Sequence, residues 1–139
     1  MYLLDTNVVS ELRRPDRAER RVRAWAEGIA EGEFHLSVIT ILEIERGILR
    51  LARRDEEQAR QLRGWLEGGV LAGFADRIVP VTLEIARRSA ALHVPDPVPE
   101  RDALIAATAL VHRMTVVTRN VGDFGRTGVE VLNPWEAGG

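Results

Sequence analysis

Short apolar runs of strand character alternate with amphipathic segments of helical period along the whole chain, and this alternation restricts the fold to α/β architectures. Tyr2-Leu3-Leu4 reads as a buried strand that ends at the turn-forming Asp5-Thr6-Asn7. A helix over 8–12 stops before Pro15, because proline disfavours helical geometry in the residue ahead of it. Val22, Trp25, Ala26 and Ile29 recur at helical spacing and predict a helix over 16–31. Residues 34–38 read as a strand that leads, through Ser37 or Thr40 as a cap, into a long helix to residue 54. A helix over 56–75 follows, weakened by Gly64, Gly68, Gly69 and Gly73. Residues 77–81 give a third strand cut by Pro80, and Thr82 caps a helix over 83–92. The loop from Pro95 to Pro99 places Pro99 ahead of a helix over 100–112. Strands over 115–118 and 129–132 flank a loop and close the pattern. The expected fold is one α/β domain over 1–139: three layers, with a mainly parallel central sheet flanked by helices. In such a fold the crossovers are right-handed and sites form at the carboxyl ends of the strands.

A chain of 139 residues that is 45% hydrophobic can bury one substantial core. Its charges nearly cancel, with 19 basic against 21 acidic residues and a net of -2, so the molecule as a whole does not attract polyanions. Every basic residue is Arg, which fits either genomic base composition or selection for bidentate phosphate and carboxylate contacts. The absence of Cys excludes disulfide scaffolds, thiolate zinc sites and cysteine nucleophiles. Met1 leads directly into Tyr2-Leu3-Leu4-Asp5 without a basic or long apolar leader, and no apolar run approaches a membrane span. A cytoplasmic protein without membrane attachment is therefore expected. His35, His93 and His112 lack paired-ligand spacing, and neither a Gly-x-Ser-x-Gly elbow nor a phosphate loop ending in Lys is present. Carboxylates remain as the chemistry-bearing groups.

Four of them stand out. Asp5 closes the first strand, where it can serve as an N-cap or as the edge of a site. Glu43 interrupts an apolar stretch. On a helix it lines up with Gly47, Arg50 and Arg54, opposite a core stripe of Ile41, Ile44, Ile48 and Leu51. That face describes solvated Glu–Arg pairs, or equally an acid at a site's rim with a glycine permitting close approach. Asp102 opens a helix that is apolar almost all round; the helix dipole favours an acid there, yet Glu100 could serve that end without burial. Asp123 lies in a loop past the carboxyl end of the 115–118 strand. The topology can bring all four to one edge of the sheet. Carboxylates sharing a pocket raise one another's pKa unless a cation neutralises them. Oxygen-only ligands favour Mg²⁺ or Mn²⁺ over zinc, and such a site suits phosphodiester hydrolysis.

The segments Leu3-Leu4-Asp5-Thr6-Asn7-Val8, Thr40-x-x-Glu43-Ile44-x-x-Gly47-Ile48, Asp102-x-x-Ile105-Ala106-Ala107-Thr108-Ala109 and Thr118-x-Asn120-x-x-Asp123-Phe124 together resemble the PIN-domain family. Within it they are similar to the VapC-like toxins of bacterial toxin–antitoxin pairs, and Asn133-Pro134-Trp135 is similar to the FitB-like branch. The resemblance implies an Mg²⁺- or Mn²⁺-dependent endoribonuclease with Asp5, Glu43, Asp102 and Asp123 as its acidic quartet. Asp5 and Asp102 would bind the metal directly, and Asp123 directly or through water. Glu43 would orient or deprotonate the attacking water, or support the metal ligands from behind. Thr6, Asn7, Thr118 and Asn120 would hold these groups in place. Further implications are a homodimer, a small VapB-like antitoxin that inhibits by placing an Arg among the carboxylates, and operator DNA bound only through that antitoxin.

Few aromatics and no stacking platform point to shape and phosphate contacts with RNA. Residues 11–23 and 46–63 each carry six Arg against three acids, so the near-zero net charge is a sum of opposites. Arg46, Arg50 and Arg54 are candidates for contact with RNA or antitoxin. The rivals are a PIN-fold regulatory partner that works through operator binding with an antitoxin, a nuclease for structured DNA, and a metal-free Rossmann-like binding module.

Overall fold

The computed structural model describes residues 1–136, and its five strands form one sheet in the order β3-β2-β1-β4-β5, parallel at every pairing. The strands are β1 (Tyr2–Leu4), β2 (Phe34–Ser37), β3 (Ile78–Val79), β4 (Thr115–Val117) and β5 (Val131–Leu132). The helices are α1 (Thr6–Glu11), α2 (Arg20–Glu27), α3 (Val38–Ala52), α4 (Glu56–Trp65), α5 (Leu83–Leu92) and α6 (Glu100–His112). The expected three-layer α/β architecture with a parallel sheet is therefore the one observed.

Apolar residues follow one another without a polar partner in β1 and β4 because both faces of the sheet are covered. Leu4 and Val117 point into a core with Val8 and Val9 of α1, Ile44 and Ile48 of α3, and Ala59 of α4. Leu3 and Val116 point the other way, against Ile85 of α5 and Ile105, Ala106 and Ala109 of α6. Each fully buried Leu, Ile or Val contributes about 1.5–3 kcal/mol relative to exposure. The small residues along α6 let it pack closely on α5 as well as the sheet, which is why that helix is apolar almost all round.

Several element bounds differ from expectation for local reasons. α2 begins at Arg20 rather than residue 16, because the Glu19 side chain accepts from the amides of Arg21 (2.8 Å) and Val22 (3.2 Å) and so starts the helix there. The glycine-rich stretch after α4 stays helical but widens to a π-helical segment at Leu66–Leu71. A Cβ added at Gly69 would stand 3.2 Å from Cδ1 of Trp65, so a side chain there requires the Trp65 ring to give way slightly. The cap of α3 is Ser37, whose hydroxyl accepts from the amide of Ile39. That helix ends at Ala52, which leaves Arg54 beyond it. The predicted 119–128 loop contains a 3₁₀ turn at Val121–Phe124.

From β1 the chain builds outward through β2 to β3, then returns to the opposite side of β1 for β4 and β5. The order thus reverses between β1 and β4, and a crevice opens beyond their carboxyl ends at such a switch point. Asp5 follows β1 directly, and its amide donates to the carbonyl of Val117 (2.9 Å), which extends the β1–β4 ladder by one residue. Among the described residues no helix is long and apolar enough to cross a membrane.

Candidate active site

Asp5 is fully buried at this switch point and caps α1. One carboxylate oxygen accepts from the Thr6 amide (2.8 Å) and the other from the Thr118 hydroxyl (2.8 Å). The Thr118 hydroxyl in turn accepts from the Asn7 side-chain amide (3.3 Å) and from the Asn120 backbone amide (3.0 Å). The Asn7 carbonyl oxygen closes the circuit by accepting from the amide of Arg119 (3.3 Å). The carboxylate that caps α1 also faces the neighbouring acids through Arg101, so capping does not exclude Asp5 from a site.

Glu43 reaches the same place from α3. Its Oε1 accepts from the Thr6 hydroxyl (2.6 Å), so the carboxylate is turned inward and not paired with Arg residues along a solvated face. Asp102 arrives from the first turn of α6, 6% exposed, while Pro99 occupies the N-cap position without a side-chain cap. Asp123 lies in the 3₁₀ turn past β4, exposed at the rim, where its charge is still felt by Asp102. The structure therefore gathers three of the four predicted acids closely and sets the fourth beside them.

At the centre of the three acids sits Arg101, a residue that sequence reasoning did not single out. Its Nε donates to Glu43 Oε2 (2.9 Å) and its Nη2 to Glu43 Oε1 (3.0 Å), a side-on fork. Nη1 and Nη2 form a second fork on the two oxygens of Asp5, and Nη1 also reaches Asp102 Oδ1 (3.1 Å). Burial pushes Glu43 toward a higher pKa, but hydrogen bonds from Arg101 and Thr6 and the charges of Arg101 and Arg46 outweigh it and hold the carboxyl below its ordinary range. At Asp102 burial prevails, assisted by Asp123 and Asp5, and its pKa is raised despite Arg101. Burial works against the Arg101 charge, yet its bonds to Glu43 and Asp5 raise its pKa above the ordinary value.

Of the supporting residues, Thr6 and Thr118 hold acids through their side chains, whereas the Asn7 side chain and the Asn120 backbone amide act one step back, on the Thr118 hydroxyl. Gly47 is exposed on α3, with open space where a Cβ would stand. Arg46 and Arg50 are exposed on α3 and Arg54 is exposed beyond its end. Only Arg46 is near enough to act on Glu43.

A parallel sheet in this strand order, with acids converging from three elements on its switch point, defines the PIN class of α/β domain. Residues 2–129 match the PIN-domain family model. The chain is 39% identical over 140 residues to Toxin FitB of Neisseria gonorrhoeae, covering 97% of this chain and 99% of that protein. It is 36% identical over 143 residues to VapC ribonuclease Y4jK of Sinorhizobium fredii, covering 98% and 99%. Among solved structures it is similar to FitAcB from Neisseria gonorrhoeae, with a TM-score of 0.88, 36% identity and coverage of 98% and 99%. The structure of FitAB bound to an IR36 DNA fragment aligns with a TM-score of 0.87 at 36% identity, covering 98% of this chain and 96% of that one. This chain belongs to the PIN-domain family.

Proposed function

We propose that this chain is the endoribonuclease toxin of a toxin–antitoxin pair, dependent on Mg²⁺ or Mn²⁺. One observation carries the proposal: in a PIN-domain chain, Asp5, Glu43 and Asp102 converge from β1, α3 and α6 on a single cation. Whole-length relatives named as a toxin and a ribonuclease support the biological role. Among the described residues no group of three or more His, Cys, Asp or Glu is arranged to hold a metal ion, and the Arg101 guanidinium stands between the acids. The donor set nonetheless fits Mg²⁺ or Mn²⁺. It offers oxygen only, it is partly buried, and it already gathers around positive charge. Asp5 and Asp102 hold the metal in this proposal, with Asp123 binding from the rim. When bound, such an ion supplies charge for the phosphoryl oxygens and lowers the pKa of water.

The chain's own residues supply the rest. Thr118 and the Thr6 amide fix both oxygens of Asp5, so that carboxylate is preorganised. Thr6 anchors one oxygen of Glu43; the other, which accepts from Arg101 in this structure, would orient the attacking water when the guanidinium is not on it. Exposed Arg46, Arg50 and Arg54 lie along one helix and its exit and offer contacts to RNA phosphates or to an acidic antitoxin surface. A cytoplasmic homodimer with a small cognate antitoxin completes the proposal.

The full chain, purified free of antitoxin, is expected to cleave cellular RNA with Mg²⁺ or Mn²⁺ and to stop with EDTA. Asp5→Asn and Asp102→Asn should each lose about 100-fold or more while staying folded by circular dichroism. Asn variants that cut as well as wild type overturn the site. The DNA-bound FitAB complex favours a second role alongside the first, operator binding together with an antitoxin. In gel-shift assays the chain should retain operator DNA only when the antitoxin is present.

A further inference from the structure

The forks on Glu43 and Asp5 spread the Arg101 guanidinium across the cation position of the pocket, and its contact with Asp102 uses the remaining edge. Three carboxylates thus share one positive charge, and a cation of higher charge would neutralise the pocket more fully. Arg101 is also tethered at the first turn of α6 beside Asp102, so its long side chain can leave the pocket without moving the backbone that holds that acid. With 27% of its side chain exposed, the guanidinium has a route to solvent.

We propose that Arg101 is a resident counter-ion of the carboxylate pocket, seated where the divalent ion binds, and that metal loading requires its displacement. The proposal rests on the metal-dependent function described above. Before metal arrives, Arg101 keeps the acids from repelling one another and holds the apo site closed. Once it is withdrawn, Asp5 and Asp102 are released to the incoming ion, and Glu43 to the water it orients. The chain thereby carries its own competitor for the metal, distinct from any arginine an antitoxin inserts.

Calorimetric titration of Mn²⁺ into the metal-stripped full chain tests this. Arg101→Gln should bind Mn²⁺ about tenfold or more tightly than wild type, the order of change expected when a set of charge-assisted contacts no longer competes. Arg46→Gln removes the same charge from the neighbourhood of Glu43 without vacating the pocket, and should change the affinity by less than about threefold. If Arg101→Gln does not fold in EDTA, Arg101→Lys takes its place; its single ammonium cannot fork two carboxylates, and tighter binding than wild type is again expected. Equal or weaker Mn²⁺ binding in the Arg101 variant, or an equal gain in Arg46→Gln, overturns the proposal and leaves the metal site standing. Absence of Mn²⁺ binding in every protein overturns the metal site itself, and the proposal with it.

Discussion

Replacing Thr118 by Val tests the scaffold that fixes Asp5. Thr118 is fully buried, and its hydroxyl donates to a carboxylate at 2.8 Å while accepting from Asn7 and from the Asn120 amide. Valine keeps the shape and removes all three bonds. A hydrogen bond to a charged group is worth about 1.5–3 kcal/mol, whereas the Asn120 amide lies in an exposed residue and can turn to water at little cost. Asp5 retains Arg101 and the Thr6 amide, which limits the damage. The expected loss is about 2 kcal/mol, or about 8 °C in Tm for a domain of this size. Urea denaturation in EDTA at one fixed protein concentration measures it, with an unchanged m-value confirming that the denatured state is comparable. Thr118→Ser keeps the hydroxyl and should cost about 1 kcal/mol or less. A cycle with Asp5→Asn should return a coupling of about 0.5 kcal/mol or more. A Thr118→Val variant within about 0.5 kcal/mol of wild type, or one no worse than Thr118→Ser, refutes the reasoning.

Two further outcomes follow from the same geometry. The folded-state pKa of Glu43 lies below its ordinary value of 4.5, so its contribution to stability is fully present above that pH and is lost as the pH falls through the depressed value. Glu43→Gln should therefore flatten the acid limb of the Tm–pH profile below 4.5, and an unchanged acid limb would contradict the assignment. Arg77 donates to the carbonyls of Glu31 (2.6 Å), Phe34 (2.8 Å) and Gly73 (2.7 Å), tying the approach to β2 to the end of the π-helical region. Arg77→Met should cost about 1–2 kcal/mol by urea denaturation, since it strands the part-buried Phe34 carbonyl while the exposed carbonyls of Glu31 and Gly73 can turn to water.

The fold was legible because its strands and helices are strongly patterned and separated by strong punctuation. Pro99 and Thr82 start α6 and α5 at the positions the sequence indicates. The start of α2 was not, because a Glu acting as a cap is a weaker signal than the apolar spacing that suggested a longer helix. The acids were legible by their position after strands or in helix first turns, which an α/β topology converts into proximity. Arg101 was hidden for the opposite reason. It looks like one more exposed arginine beside Glu100, and its partners Glu43 and Asp5 lie 58 and 96 residues away in the chain. The one local signal was a long cation directly beside Asp102, an acid that the apolar helix would bury.

Anomalous diffraction from Mn²⁺-soaked crystals of the full chain tests the central claim most directly. A peak is expected in contact with Asp5 and Asp102, with the Arg101 guanidinium withdrawn from between the acids. A pocket without a peak and with Arg101 still forked on Asp5 and Glu43, at Mn²⁺ concentrations that support full RNA cleavage, would contradict it.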